Sequence, residues 1–241
     1  MKLYSGNEPH PSQSADWRSR AMHRRNFLRV AGASAATASV LATLTACEKD
    51  YTDDNQPPAN LGVNLGAGDV GILNYAFALE QLEAAFYTQV IQTPFSGITA
   101  AETALLTDIR DHEVAHREFF RTALGESGIG FLDINLSSIN FSDRTSVLTA
   151  ARTFEDLGVA AYNGAGRLIT TPEYLTLAGK IVSVEARHAA YIRNLLSPGS
   201  FADGTVVEPA TGLEISKDPA TVLAAAQPFF RTRIVADNLP K

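Results

Sequence analysis

Cysteine is all but absent: Cys47 is the only one in 241 residues. That excludes a disulfide framework and a thiolate metal site, so a folded domain here must hold through its core alone. Histidine is nearly as scarce. Five are present, and only His112, His116 and His188 follow Cys47. A membrane span of about 20 apolar residues is not supplied by the uncharged stretch Val30 to Ala46, which is too short and too rich in small and polar residues. Basic charge is also thin. The chain has 20 Lys/Arg against 26 Asp/Glu, and residues 1–46 take six of the basic residues but only two of the acidic ones. The remainder therefore carries 14 basic and 24 acidic residues, a net of −10. Such a field argues against nucleic acid or anionic lipid as a partner.

What is present is an ordinary globular balance, 45% hydrophobic and 19% charged, long enough for one medium domain with a sizeable core. The first 46 residues read as an address. Arg24-Arg25-Asn26-Phe27-Leu28 resembles a twin-arginine export signal, and Leu44-Thr45-Ala46-Cys47 resembles a bacterial lipoprotein cleavage box. These resemblances imply the twin-arginine translocation machinery as a partner and a lipid on Cys47 that tethers an exported protein to a membrane. They place it in the periplasm or cell envelope. An uncleaved anchor or an ordinary cleaved signal is the plainer reading. Met22 lies two residues before the arginine pair, so translation starts at Met1 or Met22.

Residues 47–68, with Asp53, Asp54, Pro57, Pro58 and three glycines, read as a solvated tether. Four helical patterns then fill residues 69–197. The first runs from about Asp69, a plausible N-cap, to Gln92, with Leu73, Phe77, Glu80, Ala84, Tyr87 and Ile91 on one stripe. The second runs from about Thr99 to Leu124. Thr99 and Glu102 form a capping-box pattern, and Gly125 is a stop. Residues 125–142 have no helical period and read as a long crossover. The third helix runs from about Asp143 to Ile169. The fourth runs from Pro172 to Leu196, with Thr171 as N-cap. Residues 198–241 form a C-terminal extension that starts as a hairpin or loop. It has a short helix from Asp218-Pro219 to about Ala226, and its last apolar residues pack back on the bundle.

The second and fourth helices each carry Glu-x-x-His: Glu113 with His116, and Glu185 with His188. Three residues advance a helix by about 300° and about 4.5 Å, so both side chains leave one face, and here that face is the apolar stripe. The first and third helices add Glu80 and Glu155 on their own stripes. Each is followed seven residues later by a tyrosine, Tyr87 and Tyr162, and the two segments align without a gap. The chain thus contains two related helix pairs facing each other about a pseudo-twofold axis. Four buried carboxylates alone would repel. Two divalent cations would supply the missing +4, and carboxylate with imidazole suits iron or manganese.

One Glu from each of two helices plus Glu-x-x-His from the other two, with one long crossover, resembles the ferritin-like di-iron and di-manganese carboxylate proteins. The resemblance covers about residues 69–196. It is strongest to exported bacterial ferritin-like proteins related to plant desiccation-associated proteins. It implies an all-α four-helix bundle with two Fe or two Mn ions held by Glu80, Glu113, His116, Glu155, Glu185 and His188. It also implies that Tyr87 and Tyr162 lie beside the site, where they are expected to hydrogen-bond ligand carboxylates. As ordinary core aromatics they would carry no chemistry.

Glu83 is the rival ligand on the first helix. The repeat pairs it with Gly158, which favours Glu80 and leaves Glu83 behind the ligands or on the surface. His112 has Val184 as counterpart and is expected behind the ligands or facing solvent. Asp111, Asp156, Arg117 and Arg187 read as solvated helix faces. The function expected is redox handling of ferrous iron, dioxygen or peroxide; as an enzyme it would be ferroxidase-like or manganese-catalase-like. The alternative is a protective envelope protein whose metals are structural. A lipid tether fits poorly with a closed storage cage, and oligomeric state is open.

Overall fold

A computed structural model of the protein describes residues 62–241. The twin-arginine-like segment, Met22 and Cys47 lie outside them. In chain order the elements are β1 (Val63–Asn64), α1 (Gly68–Gln92), α2 (Ala100–Leu124), α3 (Arg144–Gly166), α4 (Pro172–Leu196), α5 (Pro219–Ala226) and β2 (Ile234–Val235). Among the described residues the architecture is all-α apart from a two-residue parallel pairing of β1 with β2 and two isolated antiparallel bridges, Ile134 with Phe230 and Val207 with Glu214. Among the described residues no helix is long and apolar enough to cross a membrane.

Local chemistry sets most helix ends. Thr99 and Glu102 close the capping box of α2, with bonds of 3.1 and 3.0 Å. Glu102 also pairs with Arg144 at 2.7 Å, which fastens the start of α3 to the start of α2. Asp143 caps α3 through the Ser146 N–H at 2.7 Å.

Asp69 departs from the sequence reading. The N-cap of α1 is Ala67, and no side chain caps that end. Asp69 instead accepts the backbone N–H groups of Thr170 and Thr171, both at 2.8 Å, and the Thr170 hydroxyl at 3.0 Å. These donors lie in the loop between α3 and α4, where the Thr171 side chain makes no cap bond of its own. Helix α3 stops at Gly166 rather than Ile169. Its chain tightens through Leu168 N–H to Ala165 O and Ile169 N–H to Gly166 O, which delivers Thr170 and Thr171 to Asp69.

α1 packs on α2, α3 on α4, and α1 crosses to α3. α1 is covered on nearly every side, since residues 71–84 are all buried. Its outer face is closed by the crossover, which two buried amides hold. Asn74 donates to Leu65 O and Ser127 O and accepts from Ile129 N–H. Gln81 donates to Gly130 O and accepts from Leu132 N–H. Both satisfy loop backbone groups that would otherwise be buried unpaired.

The packed body begins earlier than the bundle reading, since Leu65 is fully buried and residues 62–68 belong to it rather than to a tether. The C-terminal extension lies along α3. Lys217 N–H bonds Ala160 O at 2.9 Å, and a Cβ on Gly164 would collide with the Lys217 carbonyl. Arg193 of α4 is 4% exposed and ties the extension down. It bonds Ser200 O at 2.9 Å, Thr205 Oγ1 at 2.7 Å, Asp203 at 2.6 Å and Asp156 at 2.6 Å. Asp156 is therefore no solvated helix residue: it is the counter-charge for a buried guanidinium.

Candidate metal centre

Midway along the bundle, α1 presents Glu80, α2 presents Glu113 and His116, α3 presents Glu155, and α4 presents Glu185 and His188. All four glutamates have no exposed surface, and His188 is 5% exposed. Their donor atoms fall into two sets, each with atoms within 4.8 Å of one another: Glu80, Glu113, His116 and Glu185; and Glu113, Glu155, Glu185 and His188. Glu113 and Glu185 belong to both. His116 Nδ1 lies 2.8 Å from Glu185, 3.4 Å from Glu80 and 3.7 Å from Glu113. His188 Nδ1 lies 2.8 Å from Glu113, 3.6 Å from Glu155 and 3.7 Å from Glu185. Each imidazole thus meets its own terminal glutamate and both shared ones.

Those approaches are close without being well-formed hydrogen bonds. Glu80 Oε2, Glu155 Oε2, both carboxyl oxygens of Glu113 and Glu185, and Nδ1 of both histidines are buried without a hydrogen-bond partner. Buried polar atoms are rarely left so. Eight of them converging on one space, all oxygen or imidazole nitrogen, is the donor chemistry that iron or manganese takes. The residues fit a two-cation group.

Without cations the two imidazoles carry the compensating charge. Burial opposes a charge on His116, but Glu113, Glu185 and Glu80 outweigh it and push the ring up to about 12. His188 is pushed up to about 12 by Glu113, Glu155 and Glu185 against the same burial. Burial would raise Glu113, yet the two histidines hold it down at about 2. Burial raises Glu155 to about 8. Glu80 is driven well above the ordinary carboxylate range by burial and then by the charge of Glu185.

The supporting residues are placed by the antiparallel course of α1 and α3. Tyr87 Oη donates to Glu155 Oε1 at 2.5 Å, and Tyr162 Oη donates to Glu80 Oε1. His112 sits at an exposed position of α2, yet its ring lies against His188 rather than against its own helix. Nδ1 of His112 is 2.9 Å from Nε2 of His188, with the rings 10° from parallel. Spacing along one helix could not show that contact, because it is made between α2 and α4. Glu83 is 3% exposed, so the surface alternative for it falls. Arg117 pairs with Glu118 at 2.9 Å and lies over the Phe131 ring. Asp111 and Arg187 are exposed.

The two ends of the centre differ. Beyond Tyr87 the interior is filled by aromatic packing: Phe86 on Tyr87 at 5.0 Å, Phe86 on Phe154 at 5.1 Å, and Phe154 on Phe229 of the extension at 4.7 Å. Beyond Tyr162 lies an apolar cavity of about 40 Å³ among Leu73, Ala76, Phe120, Ala165, Ala178 and Ile181.

A family model described as a ferritin-like domain matches residues 68–198. The chain belongs to the ferritin-like domain family. The match begins at the first residue of α1 and ends just past α4, so the ferritin-like domain takes in the four helices and the crossover. The C-terminal extension that buttresses α3 lies beyond it. No curated protein matches the sequence.

Proposed function

We propose that this ferritin-like protein is exported and lipid-tethered, and that it holds two iron or two manganese ions for redox handling of ferrous iron, dioxygen or peroxide. The observation that carries this reading is the sharing of Glu113 and Glu185 between two donor sets, each with its own imidazole and its own terminal glutamate. Glu80, Glu113 and His116 would hold one ion with Glu185; Glu155, Glu185 and His188 would hold the other with Glu113. Bound there, such ions supply paired one-electron changes at neighbouring positions.

The chain's own groups prepare the place for that chemistry. The Tyr87 and Tyr162 hydroxyls donate to the terminal glutamates, fixing which carboxylate oxygen faces inward. The apolar wall around Tyr162 keeps bulk water from the carboxylates. His112 holds the outer nitrogen of His188 and so orients its Nδ1 toward the shared glutamates. Export is supported by the Arg24-Arg25 motif, and anchoring by the Leu44-to-Cys47 box. Twin-arginine export of a folded chain would allow metal to be loaded before the membrane is crossed.

The structural alternative, in which the metals only brace a desiccation-type protective bundle, rests on the same four buried carboxylates, whose charge bound metal would offset. One experiment separates the two. The protein is loaded anaerobically with ferrous or manganous ion, then given dioxygen or peroxide, alongside Glu113→Ala. Turnover that Glu113→Ala abolishes supports the redox reading. Full loading without turnover, and a large fall in Tm on chelation, overturns it in favour of the structural one.

A further inference from the structure

Glu83 is unaccounted for by the six residues above. It lies on α1 one turn after Glu80, is 3% exposed, and receives none of the tyrosine or histidine contacts that hold the other four glutamates. Its carboxyl rests against Gly158 of α3, where a Cβ would stand 2.9 Å from Glu83 Oε1. Gly158 is also its counterpart in the internal repeat, since Glu83 follows Glu80 by three residues and Gly158 follows Glu155 by three. One half of the repeat carries an added carboxyl, and the other half lacks a side chain at the spot that receives it. The two positions form a matched pair.

Charge makes the arrangement costly in the absence of metal. Four glutamates already balance two divalent cations, and a fifth buried carboxyl enters their field. Burial, then the charges of Glu185, Glu113 and Glu155, push Glu83 well above the ordinary carboxylate range. A glutamine or leucine would fill the same volume without that penalty. Departures of this kind from good packing chemistry concentrate at functional sites. Its oxygens lie outside the two converging sets, but one helical turn, about 5.4 Å, is within the sweep of a glutamate side chain.

We propose that Glu83 is a seventh metal-binding side chain, a carboxylate housed in the notch of Gly158 that joins the donors around one of the two ions. This assignment presupposes the dinuclear centre proposed above. It makes the two ions unequal: one keeps a terminal glutamate, a histidine and the shared pair, and the other gains a further oxygen. The pseudo-twofold symmetry of the ligands is then broken by the Glu83–Gly158 pair.

The test is Mn2+ titration of the full mature chain, followed by calorimetry, for the wild type, Glu83→Gln and Glu126→Gln. Glutamine keeps the packing at position 83. Glu126 is exposed, and its substitution repeats the change in net charge away from the centre. A crystal structure of the Mn2+-loaded wild type completes the test. The expected result is that Glu83→Gln weakens one of two binding steps by about 10-fold or more, Glu126→Gln weakens neither, and a Glu83 oxygen contacts a Mn2+ ion. If Glu83→Gln binds as Glu126→Gln does, or if the loaded crystal leaves the carboxyl against Gly158 away from both ions, the assignment is wrong while the dinuclear centre stands. A wild type that binds no Mn2+ overturns the centre itself, and the role of Glu83 with it.

Discussion

Tyr87 of α1 bonds Glu155 of α3 at 2.5 Å, although a glutamate stands seven residues before it on its own helix. The partner relationship is reciprocal, since Tyr162 of α3 bonds Glu80 of α1. The antiparallel helices exchange hydroxyls, so each terminal carboxylate is oriented by the opposite half of the repeat.

Tyr87→Phe and Tyr162→Phe should therefore each leave a buried carboxylate oxygen without its donor. Each is expected to cost about 1–3 kcal/mol, read from denaturant unfolding of the metal-loaded protein. Tyr162 borders the cavity while Tyr87 is packed among phenylalanines, so neighbouring side chains have more room to rearrange around the orphaned oxygen at Tyr162. The Tyr162 variant should show the smaller loss. Equal losses would mean that the cavity does not soften that end.

Glu113 and Glu185 serve both donor sets, whereas Glu80 and Glu155 each serve one. Loss of a shared glutamate should empty both positions; loss of a terminal one should weaken chiefly the set it belongs to. Mn2+ titration of Glu185→Ala against Glu80→Ala distinguishes the cases. Parallel loss of both ions in Glu80→Ala would contradict the division into shared and terminal residues.

Without metal, at pH 7 both imidazoles hold a second proton, because they are pushed up to about 12, and Glu155, raised to about 8, is protonated as well. Metal requires neutral imidazole and ionised carboxylate. Loading at pH 7 should release about three protons per chain or more, and apparent affinity should climb as pH rises from about 6 to about 8. Calorimetry in buffers of different ionisation enthalpy measures the release. Binding without proton release would contradict the charge state derived for the metal-free centre.

Much of this was readable from one-dimensional pattern. The four helices, the capping box at Thr99 and the placing of Glu80, Glu113, Glu155 and Glu185 on apolar stripes follow from helical periodicity, which is a property of neighbours in sequence. What escaped depends on contacts between helices. Asp69 looked like a local N-cap but serves a loop 101 residues away. Asp156 looked solvated but neutralises Arg193, which carries no motif. Asn74 and Gln81 are buried because the crossover folds over them, and a crossover without period gives no sign of where it lies. The ring contact of His112 with His188 needed the placement of α4 beside α2.

The Asp69 contact yields a pH test of the fold. Bonds from Thr170 and Thr171 hold its carboxyl down at about 2, from 3.8. A carboxyl lowered on folding contributes stability that is fully present above about 3.8 and fades as pH falls through about 2. Asp69→Asn should lower Tm at pH 7, and the gap from wild type should close as pH approaches 2. A gap that stays constant with pH would show that the charge is irrelevant.

Gly164 tests the extension. A Cβ there collides with the Lys217 carbonyl, a backbone atom that cannot swing aside. Gly164→Ala should cost about 1–3 kcal/mol and expose residues 200–241 to protease while the bundle stays helical by circular dichroism. Protection equal to wild type would mean that Arg193, the β1–β2 pairing and the Phe154–Phe229 contact hold the extension without the close approach at Gly164.

The converging carboxylates and imidazoles are expected to hold two metal ions. Elemental mass spectrometry of the chain from Tyr51 onward, made in the cytoplasm, tests it most directly beside Glu113→Ala and Glu185→Ala. About two iron or manganese ions per wild-type chain are expected, lost in both variants. No bound metal after anaerobic ferrous or manganous loading would contradict it.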